Sequence, residues 1–73
     1  MKNYYIKMTN GLEGYYVKVS AADEESVVDF ATRNFGTMWA DVVSEGYLYE
    51  IERKRSTVRI VNRNQPIVLE GGQ

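Results

Sequence analysis

Histidine and cysteine are both absent from this 73-residue chain. The first absence removes the one side chain that titrates unperturbed near neutral pH. The second removes the thiol nucleophile and, together with the first, the usual zinc ligands. No disulfide can form, and a Ser-His-Asp hydrolytic triad cannot be assembled. Proline occurs once, and no apolar stretch approaches the roughly 20 residues of a membrane span. The first residues, Met1-Lys2-Asn3-Tyr4, lack the apolar run of a secretory signal. These absences predict a cytoplasmic protein away from membranes, not an enzyme, with no cofactor and no metal. A chain this short has room for one domain, 1–73, with a flexible tail at Gly71-Gly72-Gln73. Domains of this size bury little apolar surface, so self-association into a homo-oligomer is the expected source of further burial.

The net charge of −1 hides a polarity. Residues 1–50 carry four basic and eight acidic side chains, whereas residues 51–73 carry five basic and two acidic ones. Such asymmetry can mark a binding surface, or can simply distribute solubility.

Hydrophobic periodicity orders the chain. Tyr4-Tyr5-Ile6-Lys7-Met8-Thr9 alternates with the strand period, placing Tyr4, Ile6 and Met8 on one face and Tyr5, Lys7 and Thr9 on the other. Asn10-Gly11-Leu12-Glu13-Gly14 is hairpin chemistry, and Tyr15-Tyr16-Val17-Lys18-Val19-Ser20 repeats the alternation with Tyr15, Val17 and Val19 inward. Asp23 is placed to cap a helix whose first turn is acidic. Val27, Phe30, Ala31 and Phe35 form its apolar stripe, and Gly36 ends it. Met38 to Val43 reads as a third strand in which Met38, Ala40 and Val42 or Trp39, Asp41 and Val43 could form the inward set, and Asp41 favours the first. Residues 45–55 fit two templates. Tyr47, Leu48 and Ile51 make a helical stripe with Glu50 and Lys54 paired, while Tyr47, Tyr49 and Ile51 equally make a strand; an N-cap at Ser44 favours the helix. Thr57 to Val61 is a strand, Asn62 to Gln65 a turn, and Pro66 to Leu69 a last strand that its proline assigns to an edge. The fold class is therefore α+β, a small mainly antiparallel sheet with one principal helix on one face, in the order β-β-α-β-(short α or β)-β-β.

The acidic cluster Asp23, Glu24, Glu25 and Asp29 lies on the first turns of a helix, where capping and solvation account for it. It has no wrapped-loop spacing for calcium. Asn10 to Gly14 has no following lysine or helix start, so it is not a phosphate loop.

Two surfaces remain as candidates. Six tyrosines are a surplus, and with one helix covering one sheet face the other would present Tyr5, Tyr16, Lys7 and Lys18. An aromatic and basic mixture of this kind suits a protein partner or a second copy. The alternative is that the second short helix or the last strands cover it. If residues 55–63 are extended, Arg55, Arg59 and Arg63 share one face at intervals of about 13 Å and could contact phosphates or carboxylates. The acidic balance and the absence of a nucleic-acid-binding motif weigh against that second surface.

The tyrosine-rich first strand, the glycine turn and the second strand are followed by Asp23-Glu24-Glu25, Asn34-Phe35-Gly36, Trp39-Ala40 and Ser44-Glu45. Over residues 3–50 this pattern resembles small uncharacterised accessory proteins encoded by bacteriophages and prophages. The resemblance implies an accessory role in a host cytoplasm and assigns no functional residue. The expected function is that of a small non-enzymatic interaction protein, binding a protein partner (a host protein, if the chain is phage-encoded) or itself. The alternative is a nucleic-acid-binding accessory factor using the arginine stripe.

Overall fold

The computed structural model describes residues 1–54 and 58–70. Its elements are β1 (Lys2–Met8), β2 (Tyr15–Ala21), α1 (Glu24–Phe35), β3 (Trp39–Ser44), α2 (Glu45–Lys54), β4 (Arg59–Ile60) and β5 (Ile67–Val68), with a short 3-10 turn at Gly36–Met38. The α+β class expected from the sequence is the one observed. Arg55, Thr57 and the glycine tail lie outside the described residues.

β1 and β2 form the expected hairpin, with Ile6 opposite Val17 and Tyr4 opposite Val19. Asn10 adopts φ 55° and Gly11 φ 95° at its turn, a left-handed pair that explains the Asn-Gly sequence there. β3 pairs antiparallel with the other side of β1, and β4 and β5 pair parallel with β2, giving the order β3-β1-β2-β4 with β5 also on β2. β2 and β3 are thus parallel with β1 between them, joined by α1. β3 and β4 are parallel as well, joined by α2. The two crossovers run in opposite directions across the sheet. Right-handed connections in opposite directions must use opposite faces, which is where the two helices are found.

Two cores result. Under α1, Tyr4, Ile6, Met8, Val17, Val19, Ala21 and Val42 pack with Val27 and Ala31. Under α2, Tyr5, Tyr16, Val43 and Leu48 form a second cluster, flanked by Val58 and Ile60. Asp23 caps α1 as expected: its carboxylate accepts from the Ser26 N–H at 2.9 Å and from the Ser26 hydroxyl at 2.8 Å. Those two bonds, the backbone one first, hold the Asp23 carboxyl below its usual range. Ser44 caps α2, its Oγ accepting from the Tyr47 N–H at 3.3 Å.

Several details differ from the sequence reading. Phe30 and Phe35 are only half-buried and meet edge to face at 5.9 Å, so Val27 and Ala31 hold the helix to the sheet. Tyr15, expected inside, is 37% exposed and belongs to neither core cluster. Ala40 faces solvent because a bulge opposite Lys7 interrupts the β1–β3 register. Val42 and Val43 are both buried, one on each face, because both faces are covered. Glu50 pairs with Arg53 at 3.2 Å and not with Lys54.

Candidate functional site

Strand alternation does place Tyr5, Lys7, Tyr16 and Lys18 on the face opposite Tyr4, Ile6 and Val17, but that face is not open. The ten residues of α2 cross it, and Tyr5 and Tyr16 are 3% and 4% exposed. The expectation of an exposed tyrosine face is corrected on this point: both rings belong to the second core. Leu48, fully buried, inserts between the helix and these rings.

A polar chain runs along the edge of this core. The Tyr5 hydroxyl donates to Glu45 Oε2 at 3.1 Å, and Asn3 Nδ2 donates to the same oxygen at 3.3 Å. The Ser20 hydroxyl in turn donates to Asn3 Oδ1 at 2.7 Å. β2, β1 and the first residue of α2 are thereby tied together. Burial, reinforced by the Glu45 hydrogen bond and the Glu45 charge, pushes the Tyr5 phenol up to about 12. A phenol whose pKa is raised in the folded state stabilises fully below about pH 10, and that contribution is lost as pH rises through the folded value. At pH 9 a Tyr5→Phe variant is expected to be less stable by about 0.5–1.5 kcal/mol, the worth of one hydrogen bond. Between pH 10 and 12 the parent loses up to about 1.4 kcal/mol per pH unit through Tyr5 and the variant does not. Urea midpoints measured for both proteins at pH 9 and 11.5 should cross. Parallel curves would show that the Tyr5 phenol is not shielded.

The basic pair separates. Lys18 Nζ turns towards the Arg63 carbonyl at 3.4 Å. Lys7 stays exposed and borders a groove of about 520 Å³ between the hairpin end and the last turns of α2. The floor is Tyr16, Ile51 and Val58; the rim is Lys7, Lys54, Glu13 and Gly14. Among the described residues neither Lys7 nor Lys54 enters an ion pair. Glu13 is already engaged: its two carboxylate oxygens accept from the Gly11 N–H at 3.1 and 3.3 Å. Hydrogen bonds from its own backbone and from Gly11 hold the Glu13 carboxyl below its usual range. The groove therefore offers two ammonium groups over an apolar floor. The sequence points to Lys7 and Tyr16 but not to Lys54, whose expected partner is Glu50, nor to Ile51, a member of the second helix's apolar stripe, nor to Val58, which lies within the expected strand from Thr57 to Val61.

The arginine stripe does not form as drawn. β4 ends at Ile60 and residues 61–64 turn, so the extended run that would align Arg59 with Arg63 is broken. Arg63 donates to Glu52 at 2.9 Å, and Arg55 lies outside the described residues. Among the described residues no three acidic side chains gather into a cation site, and no helix is long and apolar enough to cross a membrane.

Comparison with protein families, with curated proteins and with solved structures finds no match for this chain.

Proposed function

We propose that the chain is a small non-enzymatic interaction protein that holds an acidic, partly apolar segment of a protein partner in the groove between Lys7 and Lys54. The observation that carries this reading is that Lys7 and Lys54, neither of them in an ion pair among the described residues, border Tyr16, Ile51 and Val58. Carboxylates of the partner would meet the lysines while its apolar side chains cover the floor, the usual division between a polar rim and an apolar centre. A volume of about 520 Å³ holds a few side chains and not a whole domain, so the ligand is a short segment. The resemblance to phage accessory proteins makes a bacterial host protein in the cytoplasm the first partner to seek.

The test uses two labelled probes: a peptide carrying glutamates on either side of a Leu-Phe pair, and a single-stranded oligonucleotide. Lys7→Glu with Lys54→Glu is expected to weaken peptide binding at least tenfold, about 1.4 kcal/mol, while Arg59→Glu with Arg63→Glu leaves it unchanged. The reverse pattern would replace the reading with the arginine-based nucleic-acid alternative. In that case oligonucleotide affinity falls steeply with salt. Peptide binding that ignores both double variants would remove the groove from consideration.

A further inference from the structure

The outer edge of β3 is the longest strand edge among the described residues without a neighbouring strand. Which of its groups face outward follows from the opposite side of the sheet. The Lys18 N–H and C=O face Asn62, and the Tyr16 and Ser20 carbonyls face Val61 and Leu69. By alternation the main-chain groups of Val17 face β1, those of its partner Ile6 face β2, and those of Val42, opposite Ile6 on the other side, face away from the sheet. The outward Val42 N–H is nevertheless occupied: it donates to the carboxylate of the preceding residue, Asp41, at 2.8 Å.

We infer that Asp41 is an edge guard that keeps β3 from pairing with β3 of a second copy of this chain. Two identical edges are self-complementary in antiparallel pairing, with Val42 of each copy exchanging both main-chain bonds about a two-fold axis. Asp41 opposes that pairing twice. Its carboxylate holds the N–H that the rung requires. In the paired state the two Asp41 side chains would also lie on one face at diagonal positions, roughly 7–8 Å apart, where like charges repel. The bulge at Ala40 confines the usable edge to Val42–Ser44, so one residue is enough to keep it closed.

Asp41 is exposed and its side chain packs in neither core, so it can be replaced without opening a cavity. The Asp41→Thr variant supplies a β-branched residue without charge. It is expected to associate at least tenfold more tightly than the parent in sedimentation velocity over about a hundredfold range of concentration. In the associated species the Val42 amide should exchange with solvent more slowly than in the dilute monomer. A folded Asp41→Thr protein that sediments like the parent at every concentration overturns the inference. So does association that leaves Val42 exchange unchanged, since the contact would then lie elsewhere. Should Asp41→Thr fail to fold, Asp41→Ala removes the acceptor and the charge together and is held to the same two readouts.

Discussion

Leu48→Ala is expected to lower the unfolding free energy by about 2–5 kcal/mol, comparable to the whole net stability of a domain this small. Leu48 is the one fully buried side chain of α2, and it closes a core whose other buried members are Tyr5, Tyr16 and Val43. Truncation leaves a void against two aromatic rings and loosens the helix that covers that face. Tyr47→Ala, one position earlier, removes a larger side chain that is 57% exposed and should change stability by less than about 0.5 kcal/mol. The contrast separates docking of α2 from its intrinsic helicity. Trp39 packs against the other core and is the only tryptophan, so its fluorescence reports the α1 side alone. If the tryptophan transition and the far-ultraviolet circular dichroism transition of Leu48→Ala coincide at a lower urea midpoint, the two cores unfold as one unit. An unchanged midpoint would mean that α2 is not held to the sheet by Leu48.

The hairpin and α1 were legible because their signals are local. Strand alternation from Tyr4 to Met8, the Asn-Gly turn, the Asp23 cap and Gly36 each act within a few residues. The Ser44 cap likewise tipped residues 45–54 correctly towards a helix. What α2 covers was not legible, because that depends on the position of β4. A strand of two residues, Arg59–Ile60, carries almost no periodic signal, yet its pairing beside β2 sends α2 across the second face. The tyrosine site failed on this one step. Alternation put Tyr5 and Tyr16 on the right face, and the topology buried them. The groove was missed for a related reason. Lys7 and Lys54 are far apart in sequence and meet only when α2 runs back towards the hairpin end. The Glu50–Lys54 pairing rule concealed the second lysine by giving it a partner that the structure assigns to Arg53.

Asn62 illustrates a contribution that no pattern in the sequence announces, and its replacement should be among the most damaging at any partly exposed position. β4 and β5 pair with opposite ends of β2, and the chain between them turns away, leaving the middle of that edge without a backbone partner. The Asn62 side-chain amide fills the gap. Its Oδ1 accepts from the Lys18 N–H at 2.7 Å, and its Nδ2 donates to the Lys18 carbonyl at 2.9 Å, reproducing with one side chain the two bonds of a strand rung. Nδ2 also reaches the Gln65 carbonyl at 3.2 Å, which fixes the turn that brings β5 back. Asn62→Ala strips both Lys18 groups of their partners, and the expected cost is about 1–3 kcal/mol. For a domain of this length that corresponds to a fall in Tm of roughly 4–8 °C for each kcal/mol. Asn62→Asp is the sharper probe. It keeps an acceptor for the Lys18 N–H but replaces the donor with a carboxylate oxygen facing the Lys18 and Gln65 carbonyls, so it should be at least as destabilising as alanine despite its similar size. Hydrogen exchange supplies the local readout: the Lys18 amide, protected in the parent, should exchange faster in the alanine variant, while the Val17 amide, bonded on the other side of the strand, keeps its protection. If Asn62→Asp matches the parent in Tm, or if Lys18 exchange is unchanged in Asn62→Ala, the side chain does not complete the ladder and another group must hold β4 and β5 to the sheet.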